Sequence, residues 1–278
     1  MKIFNIWTLL AIVCCASSAA RAQLEIVTNT EPQCVFFGDA KKIFVTFHNP
    51  GDQNFEGKIR ERIFQASSAM TVLLSENPWK RLQVPAGEMI LESATLDFPV
   101  VKAKTKFFVQ WLEDSNHVLG VTSVLVYPTN LFEALQPFVG ETNFGVFDPN
   151  NELKPLLKTQ GIRFVDLGET ALDDFSGQLA IIGPFQSHAQ MPDGLANRIE
   201  TIAKKNVAVV WIQPPQQKPD KLQSSFYCVQ KSQTAVVVVQ PDLVYDLAEN
   251  PRSQLNLIYF CRLALKPPPP VLPGLSPP

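Results

Sequence analysis

The sequence predicts two domains, an N-terminal sandwich of antiparallel β-strands and a C-terminal α/β domain with a parallel sheet. Its 278 residues correspond to about two domains at ~150 residues each. Hydrophobic residues make up 46% of the chain, which is enough for packed cores and excludes a chain that is disordered throughout. Near residue 128 the apolar pattern changes from strict alternation to short continuous runs separated by helical spacing.

Alternating segments dominate the first half of the chain. Phe107, Val109 and Trp111 would share one face of a strand, and residues 59–65 alternate charged with apolar side chains. About seven such strands in roughly 105 residues predict a β-sandwich. The strand rhythm and the turn Asn49-Pro50-Gly51 resemble the immunoglobulin-like modules of secreted bacterial proteins.

The second half contains continuous apolar runs, which are typical of strands covered by helices on both faces. Between two of them, Leu195, Ile199, Ile202 and Ala203 share one face of a predicted helix, and residues 254–265 predict a closing helix. Strands alternating with helices indicate an open parallel sheet, and this half resembles a flavodoxin-like three-layer domain. The apolar runs cover residues 143–147, 162–167, 179–183, 207–212 and 235–239.

The N-terminal residues have the composition of a secretory signal peptide. Met1-Lys2 precedes an apolar run, and Ala20-Arg21-Ala22 supplies a small-residue cleavage site. That run of about 13 residues is too short for a ~30 Å hydrocarbon core, so we expect a periplasmic or extracellular chain without a transmembrane segment in its mature form. The predicted organisation is a signal peptide at 1–22, the immunoglobulin-like sandwich at 23–128, the flavodoxin-like domain at 131–265 and a proline-rich tail at 266–278.

The tail holds seven of the chain's 23 prolines, which predicts an extended polyproline segment. It is either a frayed terminus or a ligand for a proline-recognising partner.

Three cysteines remain after the signal peptide: Cys34, Cys228 and Cys261. Cys228 and Cys261 lie in the same half and are the candidate disulfide pair, with three buried free thiols as the alternative. No C-x-x-C or H-E-x-x-H motif occurs and the chain has only three histidines, so neither a metal nor another cofactor is expected.

Polar residues follow each predicted strand of the α/β domain, at the edge where open parallel sheets bind ligands. Asp148, His188 and Asp242 are the candidates for acid–base catalysis, and Asp166, Ser187 and Gln213 are candidates for ligand binding. For each of them, helix capping or turn formation is the alternative role.

In the β domain, Trp79 follows Asn77-Pro78 in a predicted loop. An exposed loop tryptophan is a candidate for stacking on a sugar ring, and packing in the core is its alternative role.

Residues 175–215 combine a strand ending at Gly183, a helix at 195–205 and a strand at 207–212. This stretch is similar to the class I glutamine-amidotransferase-like domains of many exported bacterial proteins. In active members a nucleophilic cysteine follows the strand that matches 207–212, whereas this chain has Gln213-Pro214-Pro215 there. The resemblance therefore implies a member that lacks the family's chemistry.

A net charge of −2 argues against nucleic-acid binding, because no basic excess is available to neutralise phosphates. The expected function is that of an exported non-enzymatic protein that binds or scaffolds an unknown envelope or extracellular protein or glycan. Two alternatives stay open: a hydrolase that uses the carboxyl edge of the α/β sheet, and a carbohydrate-binding accessory protein.

Overall fold

The computed structural model describes residues 24–29, 31–67, 69–138, 143–168, 172–215, 226–231 and 234–267. The expected signal peptide lies outside these residues, as does nearly all of the proline-rich tail. The chain divides into two compact units, with the boundary between Val126 and Tyr127. None of the described helices has the length and apolar character that crossing a membrane requires.

Eight strands make up the part of the first unit that the structure describes. They form a three-stranded sheet of order β1-β3-β6 and a five-stranded sheet of order β2-β8-β7-β4-β5. Strand β3 is antiparallel to β1 and β6, and the pairings of β4 with β5 and β7, and of β7 with β8, are antiparallel too. The strands are β1 (Glu25–Val27), β2 (Gln33–Phe36), β3 (Gly38–His48), β4 (Phe55–Ala66), β5 (Thr71–Val84), β6 (Met89–Phe98), β7 (Thr105–Glu113) and β8 (Val118–Tyr127).

Aromatic side chains pack among aliphatic ones in the core of the first unit. Alternation along β7 buries Phe107, Val109 and Trp111 completely, which confirms the predicted face of that strand. Trp111 packs edge-on against Phe47 with ring centroids 6.0 Å apart. Its indole Nε1 donates a hydrogen bond to Oγ1 of Thr122, 3.0 Å away, so this buried polar group has a partner.

Six strands and three α-helices form the regular structure of the second unit within the described residues. The sheet has the order β10-β9-β11-β12-β14-β13, in which β13 is antiparallel to β14 and the other neighbours are parallel. The elements are β9 (Phe144–Phe147), α1 (Leu153–Thr159), β10 (Val165–Asp166), β11 (Leu179–Ile182), α2 (Leu195–Lys204), β12 (Ala208–Ile212), β13 (Phe226–Lys231), β14 (Thr234–Val239) and α3 (Pro251–Leu265).

The local sequence accounts for the buried face of α2 and for the start of α3. Helix α2 buries Leu195, Ile199, Ile202 and Ala203, as the helical spacing predicts. Helix α3 begins at Pro251, three residues before the predicted start. The side chain of Asn250 accepts a hydrogen bond from the backbone N–H of Arg252, and proline is favoured at the first helical position.

The predicted fold class, an immunoglobulin-like sandwich followed by a flavodoxin-like domain with a parallel sheet, is wrong. The C-terminal sheet is mixed, because β13 runs antiparallel along its edge and the connection from β12 to β14 includes that strand. In the first unit the strands divide into three and five, whereas the seven strands of an immunoglobulin constant-type sandwich divide into four and three. An apolar run reports that a strand is buried but carries no information on its direction, so the sequence pattern could not reveal the reversal.

Candidate functional site

The carboxyl ends of β9 and β11 lie at the edge of the sheet where an open α/β fold would bind a ligand. Strand β10 lies on one side of β9 and β11 on the other, so the strand order reverses at this point. In open α/β sheets ligands bind at such a reversal. The residues that follow the two strands are Asp148 after β9 and the cis-linked pair Gly183-Pro184 after β11.

Asp148 stabilises the start of α1. Its side chain is only 3% exposed, and its Oδ2 accepts hydrogen bonds from the backbone N–H groups of Leu153 at 2.8 Å and Lys154 at 3.0 Å. The first N–H groups of a helix have no partner within the helix, and a carboxylate is a strong acceptor for them. The second oxygen, Oδ1, is buried and has no hydrogen-bond partner among the described residues. Asp148 therefore has the capping role that was the alternative to catalysis.

Four polar side chains link the loop after β9 to the loop after β11, and we call them the amide bridge. Asn150 donates from Nδ2 to the carbonyl oxygen of Pro184 at 3.2 Å and accepts from Nε2 of Gln190 at 2.8 Å. Gln190 also accepts the backbone N–H of Gln186 at 2.7 Å, and Nε2 of Gln186 donates to Oε1 of Glu152 at 3.2 Å. Hydrogen bonds within the chain thus connect the two loops at this edge of the sheet.

The amide bridge was missed from the sequence. Asn150 and Gln186 both stand within three residues of a predicted strand end, and this shared position is the signal that could have revealed it.

Among the described residues, the other predicted site residues share no hydrogen bond with Asp148. His188 is exposed at the start of a 3-10 turn, Ser187 precedes it and is exposed too, and Asp242 is exposed in the 3-10 turn after β14. Half-buried Gln213 follows β12 and accepts a hydrogen bond from Nε2 of Gln240 at 3.3 Å. Within the described residues, no hydrogen bond joins Asp148, His188 and Asp242.

Asp166 forms an ion pair in β10. Its Oδ1 lies 2.8 Å from Nζ of Lys154 and accepts the backbone N–H of Gly168 at 2.9 Å. Burial acts to raise the pKa of Asp166, but the hydrogen bonds from Lys154 and Gly168 and the positive charge of Lys154 outweigh it and lower that pKa. The carboxylate is therefore ionised and holds α1 to β10.

Trp79 lies in strand β5, and the predicted loop position is wrong. Proline is tolerated in an edge strand, so Pro78 does not end β5. The half-buried indole stacks on Phe47 at 5.9 Å between ring centroids and lies 4.9 Å from the ring of Trp111. Nζ of Lys80 stands 4.8 Å from the centroid of the same indole. Trp79 thus packs on the core, which was the alternative to sugar stacking.

The three cysteines are free thiols, so the suggested pair Cys228–Cys261 is not formed. Cys228 is exposed on β13, whereas Cys261 is fully buried in α3. Burial raises the pKa of both thiols, and more strongly for Cys261. No group of three potential metal ligands occurs in the part of the chain that the structure describes.

A second surface of interest is the apolar edge patch, which the sequence reading also missed. It lies near the turn of the β4–β5 hairpin, where Phe64 of β4 is in register with Leu73 of β5 and Phe108 of β7. A shallow depression of about 350 Å³ adjoins these rings. The patch consists of Phe64, Met70, Val72, Leu73, Leu74 and Phe108.

Comparison with known proteins leaves the family of this chain open. No protein-family model matches it, and no curated protein is significantly similar to it. Among solved structures, it is 13% identical to the alkylpurine DNA glycosylase AlkC of Pseudomonas fluorescens, bound to DNA containing an abasic site analog. That match has a TM-score of 0.30 and covers 38% of this chain and 31% of the other.

Two further matches are equally distant. The sporulation control protein Spo0M of Bacillus subtilis is 12% identical with a TM-score of 0.29, over 42% of this chain and 56% of the other. A beta-glucosidase of Listeria innocua is 18% identical with a TM-score of 0.27, over 38% of this chain and 16% of the other. The chain thus spans less than two thirds of each of these proteins, and similarity this low carries no argument about function.

Proposed function

We propose that this chain is an exported, non-enzymatic protein that binds or scaffolds a protein or glycan of the cell envelope or extracellular space. The observation that carries this proposal is the hydrogen bonding of Asp148, whose Oδ2 is held by the N–H groups of Leu153 and Lys154. A general acid or base must reach the proton that it transfers. The buried carboxylate instead serves the first turn of α1.

The surroundings of Asp148 support the same proposal. The amide bridge connects the loops after β9 and β11, so polar groups at this edge of the sheet are hydrogen-bonded to one another. His188 and Asp242 stand exposed on separate turns, where each is solvated alone. A hydrolase would need at least two of these groups within hydrogen-bond reach of one reacting atom.

Export rests on the signal-peptide features of residues 1–22. Binding or scaffolding is the role proposed because, among the residues that the structure describes, the predicted site residues do not assemble into a catalytic constellation.

The experiment that tests this proposal is quantitative capture followed by chemical analysis of the ligand. Residues 23–278 are immobilised and exposed to increasing amounts of an envelope extract of the native cells, and retained molecules are eluted and identified by mass spectrometry. The proposal predicts saturable retention and recovery of the ligand with its mass unchanged. Recovery of a cleaved or otherwise converted ligand would contradict it.

A further inference from the structure

The tip of the β4–β5 hairpin is apolar and uncovered on both of its faces. Val72 and Leu73 are 47% and 50% exposed, although successive residues of a strand point to opposite faces. A register shift next to Phe64 leaves Leu74 without a directly paired residue on β4, and Leu74 is 43% exposed. Met70, at the turn, is 64% exposed. Four large apolar side chains therefore meet solvent at this tip.

Three lysines lie at the same end of the first unit. Strand β7 begins beside the hairpin turn, since Lys106 is in register with Ala66, the last residue of β4. Nζ of Lys106 stands 4.7 Å from the ring centroid of Phe108, which belongs to the apolar edge patch. Lys102 and Lys104 precede it in the loop from β6 to β7, and all three lysines are exposed. Among the described residues, none of the three has an ion-pair partner.

The neighbouring sequence does not neutralise these lysines. Residues 65–75, 99–112 and 118–127 include the three lysines and no aspartate or glutamate. Glu76, the next acid along β5, is already paired with two arginines of β4. In a chain of net charge −2, this end of the five-stranded sheet is therefore basic as well as apolar. The charges of the other sheet near the β6–β7 loop are equal in number: Asp39, Asp97, Lys41 and Lys42.

We propose that this end of the first unit binds the surface of an anionic lipid bilayer, with the hairpin tip inserted at the headgroup layer and the three lysines at the lipid phosphates. Apolar side chains gain free energy when they leave water for the boundary between headgroups and acyl chains. Lysines just outside that boundary are attracted to the negative surface. A lysine stem can lie on apolar groups while its ammonium reaches the polar layer, and Lys106 already lies against the ring of Phe108.

Exposure on both faces of the tip favours a bilayer over a protein partner. A bilayer surrounds an inserted hairpin, so it takes up Val72 and Leu73 together, whereas a protein that docks on a sheet face covers one side of it. The inference rests on residues of the first unit and the proposed function rests on Asp148, so either can fail without the other.

The lysines distinguish this tip from the other exposed apolar pair of the first unit. Met89 and Leu91 of β6 are 60% and 68% exposed, but their neighbours in the chain are Glu88 and Glu92. A negative surface would repel these acids, so the β6 pair provides an apolar control of the opposite charge.

Flotation with vesicles tests the contribution of charge. Residues 23–278 are mixed with vesicles of phosphatidylcholine alone or of phosphatidylcholine and phosphatidylglycerol in equal amounts, at increasing salt. We expect binding to the anionic vesicles only, and weaker binding as salt rises. Replacing Lys102, Lys104 and Lys106 together by glutamine should weaken it on the order of 100-fold, since each lysine near an anionic surface contributes about fivefold.

The matched control for charge lies in the second unit. Lys158, Lys204 and Lys266 are exposed there, and their replacement by glutamine removes the same charge from the chain. This variant should bind the anionic vesicles as wild type does.

The contribution of the apolar tip is tested in the same assay. Met70→Ser with Leu73→Ser should weaken binding about tenfold or more, because two large apolar side chains no longer leave water. Met89→Ser with Leu91→Ser replaces the same residue types at similar exposure and should not weaken it. Circular dichroism of every variant establishes that it folds.

A fluorophore tests insertion. In a background with Cys34→Ser and Cys228→Ser, an environment-sensitive label on Leu73→Cys should shift its emission to shorter wavelength when anionic vesicles are added. The same label on Leu91→Cys should not shift.

A folded wild-type chain that binds neither kind of vesicle, or binds both equally, would overturn the proposal. So would undiminished binding by the variant that lacks Lys102, Lys104 and Lys106, or a label at position 73 that does not shift. Retention of an envelope protein that is lost in Met70→Ser with Leu73→Ser, without binding to vesicles, would overturn it too and assign the tip to a protein partner.

Discussion

Oδ2 of Asp148 accepts a hydrogen bond from the backbone N–H of Leu153, 2.8 Å away, at the first turn of α1. This bond ties the carboxyl end of β9 to the helix that follows it, at the point where the strand order of the six-stranded sheet reverses. The residue best placed for chemistry thus maintains the fold. The side chains of the neighbouring loops also serve the fold, since their amide groups hydrogen-bond to one another.

Replacing the capping carboxylate should cost stability. Asp148→Ala leaves the N–H groups of Leu153 and Lys154 without their acceptor, so we expect the free energy of unfolding to fall by about 1–2 kcal/mol. Urea denaturation followed by circular dichroism measures the change. Asp148→Asn retains one side-chain oxygen and should recover part of it. The exposed Asp242 is the control, and Asp242→Ala should change stability by less than about 0.5 kcal/mol. Equal losses in the two alanine variants would contradict the capping role.

Glu61 should make the first unit less stable as pH rises. It is buried on β4 beside Ile59 and Ile63, Asn77 donates to its Oε1 at 2.9 Å, and its Oε2 has no partner among the described residues. Burial raises the pKa of Glu61, so the folded chain holds this proton more tightly than the unfolded chain does. The free energy of unfolding therefore falls as pH rises from the ordinary glutamate pKa through the raised one, and no further above it.

Glu61→Gln should remove this decline and be more stable than wild type at neutral pH, as measured by urea denaturation at a series of pH values. Glu56 on the same strand is the control with opposite sign. Its hydrogen bond from Gln83 and the charge of Arg81 lower its pKa, so its contribution is present above the ordinary pKa and is lost as pH falls. A Glu61→Gln profile parallel to that of wild type would show that the buried carboxyl does not govern the pH dependence.

The thiols should differ sharply in their reactivity. Cys228 is exposed and should be alkylated in the native chain, slowly at neutral pH because its pKa is raised. Cys261 is enclosed in α3 and should react only after unfolding. Iodoacetamide labelling with mass spectrometry, before and after denaturant, measures both. A disulfide between the two, detected as a peptide pair lost on reduction, would be incompatible with this structure.

Trp79 should behave as a packing residue. Trp79→Ala removes contacts with Phe47 and Trp111, so we expect the free energy of unfolding to fall by at least about 2 kcal/mol. Lys80→Ala removes only the charge near the ring and one ion pair with Glu92, and should cost less than about 1 kcal/mol. A Trp79→Ala chain of unchanged stability that has lost binding on a glycan array would instead indicate a sugar-stacking site.

The sequence predicted faces well and strand directions poorly. Period-two spacing placed Trp111 in the core, and helical spacing placed Ile199 against the sheet, because burial leaves a direct periodic trace. The direction of β13 leaves no such trace. The predicted separation of charged from apolar side chains at residues 59–65 is not observed. Period-two geometry places Glu61 on the same face as Ile59 and Ile63, and that face is buried although it carries a carboxyl group.

The sequence predicted the edge of the sheet at which the candidate site lies. It did not predict the contacts that its residues make. Asp148 does stand at the reversal of strand order, as the rule for open sheets implies. Its function depended on whether the N–H of Leu153 points toward it, which follows from the path of the loop between them. The amide bridge likewise joins Asn150 to Gln190, forty positions apart in sequence, and such pairing requires the folded topology.

A comparison of turnover between wild type and the double variant His188→Ala, Asp242→Ala distinguishes a binding protein from an enzyme. Both side chains are exposed, so the variant should fold as wild type does. Chromogenic esters, phosphates, peptides and glycosides serve as substrates. We expect that neither chain exceeds the uncatalysed rate with any of these substrates. Turnover by wild type that is lost in the variant would contradict it and identify an enzyme.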